Sequence, residues 1–210
     1  MTRLVMWRHG VTDWNELGVF QGQTDIPLNE RGLAQARAAA PYLAEMRPTA
    51  IYCSPMRRAQ QTAESLSRLV GRDVIVDARL AEIDVGTWTG SSLADVMAAD
   101  PVVRGWVLAG ADYKRSPTGE TMGQVGQRAG ACLREIAAGH DGQTVVVVSH
   151  GGAIRMGIAD MLGWSYEMSA ALGGVSNCGW CVLSQRYGRW RIEVYNCTVV
   201  APDPSVNTEI

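Results

Sequence analysis

A chain of 210 residues with 47% apolar and 19% charged side chains is long enough to bury a hydrophobic core and too apolar to stay disordered, so one globular domain is the expectation. Its formal charge of −2, without a clustered basic stripe, argues against nucleic acid as a partner. No apolar stretch nears the roughly 20 residues of a bilayer span, and the N-terminal run meets Arg8 too early for a signal peptide, so the expectation is a soluble, cytoplasmic protein with no membrane partner.

Arg3 to Arg8 reads as a short apolar strand, and after His9-Gly10 comes a loop rich in Thr, Asp, Asn and Gly. Asn29-Glu30-Arg31-Gly32 opens a helical stretch from Leu33 to Met46, which Pro41 should kink or interrupt. Ala50 to Cys53 is a second strand. Ser54 then offers an N-cap, with Pro55 at the first helical position, for a helix that runs to about Val70 and stops at Gly71. Val74 to Val76 is a third short strand.

From Leu80 to Gly119 the periodicity weakens. Candidate helices at Leu93 to Ala99 and Val102 to Ala109 sit among glycines, which marks a lid or insertion over about residues 84–121. Thr121 caps a helix reaching Ala138, and Gln143 to Ser149 is a valine strand of the kind buried on both faces of a parallel sheet. His150-Gly151-Gly152 ends it, and a helix over Ala153 to Leu162 follows. Two alternating strands, Asn177 to Gln185 and Trp190 to Tyr195, make a hairpin through Tyr187-Gly188. Its outer strand offers an edge through which two copies could pair as a homodimer. Residues 199–210 form a tail that frays from Pro202 onward. The alternation predicts an α/β fold: a three-layer α/β/α sandwich with a mostly parallel central sheet and an antiparallel edge strand, in a single domain over residues 1–198.

Five cysteines, Cys53, Cys132, Cys178, Cys181 and Cys197, are an odd number among apolar neighbours, as suits reduced core thiols. Cys178-Gly179-Trp180-Cys181 has the spacing of a redox or zinc half-site, but no second pair completes it and only three histidines occur. Read as part of a strand, the two thiols face opposite ways and belong to the core.

In open α/β sheets ligands bind beyond the carboxyl ends of the strands, where Arg8-His9, Cys53-Ser54 and Ser149-His150 all fall. With Arg58 one turn into its helix, these ends would gather two guanidinium forks, two imidazoles and the free N–H groups of helix starts, Gly151 among them. That is an anion site suited to a phosphoryl group, with Asn15, Gln21 and Gly22 able to add neutral hydrogen bonds. Cations and helix termini disfavour imidazolium, so a histidine placed there stays neutral and nucleophilic. Each residue alone has a plain structural reading: a strand-end histidine is usually just hydrogen-bonded, an arginine on a helix is usually solvated, and His140 reads as a loop residue. The joint pattern is harder to dismiss, because two of three histidines end an apolar strand and precede a glycine. A phosphohistidine route also needs a proton donor for the leaving alcohol and a base for water. Glu82 is the candidate, with Asp84 as its rival two residues on.

Those segments, in this order, resemble the histidine phosphatase superfamily, also called phosphoglycerate-mutase-like. They are Arg8-His9-Gly10 with Thr12 and Asn15, Gln21-Gly22, Ser54 to Ala63, Glu82 to Gly90 and Ser149 to Arg155. The resemblance implies that His9 is phosphorylated, that Arg8, Arg58 and His150 bind the phosphoryl group, that Asn15 is a phosphate ligand and that Glu82 is the acid and base. It implies no metal and no other cofactor. Arg58 rather than Arg57 fits the family position, because it directly precedes Ala59. One departure is Trp88-Thr89-Gly90, where many members carry an acidic residue in the middle. The lid holds only Arg104, Lys114 and Arg115 as cations, which favours a phosphomonoesterase over a 2,3-bisphosphoglycerate-dependent mutase. An inactive binder of phosphorylated ligands is the third reading. Residues 171–177, Gly151-Gly152 and the Trp190 strand are similar to the branch that acts on glucosyl-3-phosphoglycerate. A small phosphorylated metabolite is the expected partner, and Lys114 or Arg115 could pair with a carboxylate on it.

Overall fold

The computed structural model describes residues 1–199. Six strands form one sheet: β1 (Arg3–Arg8), β2 (Ala50–Cys53), β3 (Val74–Val76), β4 (Thr144–Ser149), β5 (Trp180–Arg186) and β6 (Arg189–Cys197). The helices are α1 (Asp13–Glu16), α2 (Glu30–Glu45), α3 (Arg57–Val70), α4 (Leu93–Ala99), α5 (Pro101–Leu108), α6 (Met122–Gly139), α7 (Gly151–Met161) and α8 (Tyr166–Ser169). Strand order is β3-β2-β4-β1-β5-β6, with the first four mutually parallel, β5 antiparallel to β1 and β6 antiparallel to β5. The expected sandwich is therefore present, and its antiparallel part is a two-stranded hairpin rather than one edge strand. Among the described residues no helix is long and apolar enough to cross a membrane.

The period of two in β1 and β4 builds the layers. Leu4, Met6, Val145 and Val147 pack with Leu133, Ile136, Ile154 and Ile158 of α6 and α7. Val5, Trp7, Val146 and Val148 point the other way, onto Ala36, Ala39 and Leu43 of α2 and Ala59, Ala63 and Leu66 of α3. A slip of one residue would exchange every side chain between faces, and full burial of each large one contributes about 1.5–3 kcal/mol, so the register is fixed. That register sets Arg8 opposite Ser149 and Cys53 opposite Val148. His9, His150 and Ser54, each the next residue, leave the sheet at the same edge.

Several elements depart from expectation. Helix α2 runs unbroken through Pro41, because Pro41 and Arg37 lie on its exposed side, where the carbonyl that loses its partner can be hydrated. Helix α3 begins at Arg57 with Met56 as N-cap, so Ser54 and Pro55 precede it, and the Ser54 hydroxyl accepts Met56 N–H at 3.4 Å rather than a helical amide. Helix α7 begins at Gly151, two residues early, with His150 as its N-cap. The loop after Gly10 contains α1, closed by a capping box between Thr12 and Asn15. Strand β5 starts only at Trp180. Residues 177–179 instead turn back on the active edge: Cys178 has φ +56, and its N–H donates to His9 O at 3.1 Å. The expected opposition of Cys178 and Cys181 holds by a different route, since they join the two separate apolar layers as free thiols, and burial pushes both thiol pKa values up. The tail expected to fray from Pro202 lies outside the described residues.

The loop after His9 rests directly on the first turn of α2. Val11 N–H donates to Gln35 Oε1 at 2.9 Å and Asn29 N–H to Val11 O at 3.2 Å. A Cβ on Gly32 would stand 2.1 Å from Val11 O, a backbone atom that cannot rotate away. Gly32→Ala should therefore cost about 1–3 kcal/mol by overpacking, read as a lower midpoint in urea denaturation. An unchanged midpoint would mean that this loop yields freely and does not fix His9.

Candidate active site

A cleft of about 180 Å³ opens at the carboxyl edge of the sheet, and Arg8, His9, Asn15, Gln21, Gly22, Arg58 and Glu82 all line it. Residues separated by up to 74 positions are thus gathered around one small volume. His150 is fully buried and stands behind His9, with ring centroids 5.0 Å apart in an edge-on arrangement. Neither His150 nor Gly151 borders the cleft directly. Asp84, the rival acid, points elsewhere, its Oδ1 accepting Gly86 N–H at 2.8 Å.

Hydrogen bonding fixes the tautomers of both imidazoles. His9 Nδ1 lies 2.6 Å from Gly10 O, and a carbonyl can only accept, so Nδ1 carries the proton and Nε2 keeps its lone pair. His150 Nδ1 accepts from Arg58 Nε at 3.2 Å, so the proton sits on Nε2, 2.7 Å from Ser54 Oγ. Burial pulls the His9 pKa well below its usual value, with Arg58 and Arg8 adding to the effect and the Gly10 carbonyl opposing it. Burial likewise lowers His150, followed by the fields of Arg58, His9 and Arg8. Both rings are neutral at neutral pH.

The guanidiniums are held by carbonyls and an imidazole. Arg8 Nη1 donates to Val175 O at 2.5 Å, while its Nε is buried without a hydrogen-bond partner. Arg58 donates through Nη1 to Thr24 O at 2.8 Å and through Nη2 to Gly22 O at 2.7 Å. Burial lowers both pKa values, that of Arg58 to about 10, with the nearby Glu82 carboxylate pulling the other way. Both remain charged at neutral pH. Arg57, one residue earlier, is exposed and offers only its backbone N–H to Asp25.

Glu82 follows a short 3-10 turn (Ala78–Leu80) and is 5% exposed. Its Oε1 accepts Ile83 N–H at 2.9 Å and Ala153 N–H at 3.1 Å, and its Oε2 accepts Gly152 N–H at 3.2 Å. The first turn of α7 thus seats the carboxylate, an acid at a helix N-terminus. A Cβ at Gly152 would lie 2.7 Å from Oε1, so only glycine lets the carboxylate approach this closely. Asn15 and Gln21 are fixed by Thr12: its N–H and hydroxyl bond Asn15 Oδ1, and the hydroxyl also reaches Gln21 Oε1 at 3.0 Å.

Trp14, Val19, Phe20, Leu93 and Ala94 also line the cleft, and sequence reasoning did not find them. Their apolar character is what any core residue shows, so nothing local marked them. Ser54 was taken for a helix cap, yet its hydroxyl partners His150. The lid cations do not reach the cleft: Lys114 is exposed, and Arg115 lies over the Tyr113 ring at 3.9 Å with Nη1 bonded to Tyr113 O at 2.7 Å. His140 is a loop residue as expected, meeting Tyr52 and Gln143. Among the described residues no group of three His, Cys, Asp or Glu could hold a metal ion.

Residues 4–198 match the family model of the histidine phosphatase superfamily, branch 1. The chain is 37% identical to a glucosyl-3-phosphoglycerate phosphatase of Mycobacterium tuberculosis, over 93% of this chain and 95% of that protein. It is 35% identical to phosphoserine phosphatase 1 of Hydrogenobacter thermophilus, over 79% and 82%. A mycobacterial glucosyl-3-phosphoglycerate phosphatase solved in complex with VO3 superposes with a TM-score of 0.86 at 38% identity, covering 93% of this chain and 99% of that one.

The two neutral histidines make stability pH-dependent. In the unfolded chain each titrates near its ordinary value of about 6.5, whereas the folded protein resists protonation. Below that pH the unfolded state binds more protons, so stability falls as pH drops from about 7 to about 5.5, by up to about 1.4 kcal/mol per pH unit for each histidine. Urea titrations should give a steeper acid slope for the wild type than for the His9→Asn/His150→Asn double variant. Parallel slopes would show that these imidazoles are not held neutral.

Proposed function

Because this chain belongs to branch 1 of the histidine phosphatase superfamily, we propose that it is a metal-independent phosphomonoesterase that hydrolyses a small phosphorylated metabolite through a phosphohistidine at His9. One observation carries this reading: a neutral imidazole with its Nδ1–H committed to Gly10 O lines the same cleft as two buried guanidiniums. The Glu82 carboxylate takes up the acidic proton of the bound phosphomonoester monoanion, His9 Nε2 attacks phosphorus, and the bond from phosphorus to the ester oxygen breaks as Glu82 passes that proton to the leaving oxygen. The Glu82 carboxylate then takes a proton from water, whose oxygen displaces the Nε2–P bond and releases inorganic phosphate. Arg8 and Arg58 hold the equatorial oxygens, the charge-assisted bonding that dominates phosphoryl transfer. The unpartnered Arg8 Nε supports this, since a buried donor of that kind gains most from an anion. His150 holds the Arg58 fork. Asn15, Gln21 and Gly22 border the phosphoryl position, and Gly151 starts the helix that seats Glu82.

We propose glucosyl-3-phosphoglycerate as the first substrate to try. The two mycobacterial matches support it, as does the apolar wall of Trp14, Val19, Phe20 and Leu93, which suits the carbon face of a sugar ring. VO3 in the mycobacterial relative is an oxyanion of the kind two guanidiniums receive. Arg115, committed to Tyr113, is not available to retain a bisphosphate, which supports hydrolysis over mutase chemistry. Five free thiols accord with a cytoplasmic setting.

Rapid quench with substrate should trap an acid-labile phosphate on His9, and His9→Ala should lose activity on the order of 10⁴-fold or more. Excess chelator should leave the rate unchanged. Turnover that survives His9→Ala would sink the mechanism. In a panel of glucosyl-3-phosphoglycerate, phosphoserine and 3-phosphoglycerate, kcat/KM should be highest for the first. Equal values would remove that substrate assignment while leaving the phosphohistidine intact.

A further inference from the structure

Arg128 lies on α6, away from the cleft, and spends all five of its N–H donors on two neighbouring structures. Nη1 donates to Arg79 O at 2.9 Å and Ala81 O at 2.6 Å, and Nη2 donates to Glu82 O at 2.9 Å. The other edge forks onto Glu120, Nε to Oε1 at 2.8 Å and Nη2 to Oε2 at 2.9 Å. Glu120 in turn accepts Asp84 N–H at 2.9 Å and returns its own N–H to Asp84 O at 2.8 Å. Burial pushes the Glu120 carboxyl pKa up, but Arg128 and the Asp84 N–H outweigh it and hold the carboxyl below its usual range, so the network is charged at neutral pH.

The segment so held has no regular backbone hydrogen bonding of its own, and its side-chain anchors are Ile83 and Val85, buried against Met122, Val125 and Met156, which fix its depth but not the heading of its carbonyls. Residues 81–85 lie between two single 3-10 turns, with no strand or helix of their own. Their other ties include the local turn bonds Ala81 N–H to Ala78 O and Trp88 N–H to Val85 O, both at 3.1 Å, Gln23 Nε2 to Glu82 O at 3.1 Å, and Ser149 Oγ to Leu80 O at 2.7 Å on the preceding residue. The Glu82 carboxylate can stay on the Gly152 and Ala153 amides only if its backbone stays where it is. An ion pair between Arg128 and Glu120 by itself would need none of the three carbonyls. Lysine could keep that pair but could not span the carbonyls, because it is a point charge rather than a planar fork.

We infer that Arg128 is a positioning residue for the acid and base: it fixes residues 79–84 so that Glu82 meets the ester oxygen, and through Glu120 it ties that position to the base of the lid. This rests on the role given to Glu82 above. An alkyl phosphate needs its leaving oxygen protonated, whereas p-nitrophenyl phosphate leaves as a stable anion. Because kcat/KM reports only steps through the first phosphoryl transfer, loss of a well-placed acid must appear with the alkyl ester and hardly with the aryl ester. General damage to the fold would lower both alike.

Arg128→Gln should reduce kcat/KM for an alkyl phosphomonoester about 30–100-fold and for p-nitrophenyl phosphate by no more than about 3-fold, with Arg128→Lys intermediate. Glu82→Gln sets the full size of this difference. Equal losses on both esters in Arg128→Gln, or no loss on either, overturn the inference while Glu82→Gln still discriminates. If Glu82→Gln shows no discrimination, the acid assignment itself is wrong and the inference falls with it. Should Arg128→Gln fail to fold, Glu120→Gln replaces it: a smaller loss confined to the alkyl ester is expected, and a uniform loss overturns the proposal.

Discussion

Arg8 and Arg58 keep their charge where water hardly reaches, and a buried guanidinium must find hydrogen bonds or push the site apart. Their partners come from separate stretches of chain: Val175 O, Gly22 O, Thr24 O and His150 Nδ1. Each stretch must therefore be in place before the charges are tolerable, and once in place they cannot drift. Glu82 supplies the countercharge, raising both guanidinium pKa values against the pull of burial. Burial, reinforced by the fields of the guanidiniums, keeps the two imidazoles neutral, so cationic forks and an uncharged imidazole stand together in one cleft.

Seating the carboxylate is a second constraint, met by backbone rather than by charged side chains. Two amides of the first turn of α7 and the Ile83 N–H bind Glu82, and the absence of a Cβ at Gly152 is what lets it sit there. His150 is the N-cap of that same helix. The imidazole beside His9 and the amides that hold Glu82 thus belong to one helix start at the end of β4, and a shift of α7 would move both.

Residues 84–121 turn their aromatic side chains on one another and on Phe20, and Arg115 onto Tyr113. Phe20 and Trp88 lie 6.0 Å apart, Trp88 and Tyr113 6.1 Å, and Tyr113 stacks with Trp106 at 5.8 Å while Arg115 covers its ring. The Thr89 hydroxyl donates to the Gly86 carbonyl at 2.9 Å. What this region lends to the cleft is Val85, Ser92, Leu93 and Ala94, a surface without a charged side chain.

The strands were legible from sequence because burial on both faces demands an unbroken apolar run, as in Leu4 to Trp7 and Val145 to Val148, and nothing distant is needed to see it. The histidines and arginines at their ends were legible too, since a charged or titratable residue closing such a run has few other uses. Local pattern misplaced Ser54, Pro41 and the start of α7, because a cap or kink is decided by which side of the helix meets solvent or another residue. The hydroxyl of Ser54 looked like a cap until His150, 96 positions away, claimed it. The apolar wall of the cleft and the grip of Arg128 on residues 79–82 were invisible for the same reason. A tryptophan looks alike in a core or a cleft, and an arginine looks alike on a solvated helix or across three carbonyls. Sequence determined which titratable and charged groups close the strands, and tertiary packing decided which of them meet, because hydrogen bonds across such distances depend on layers and register that no local pattern encodes.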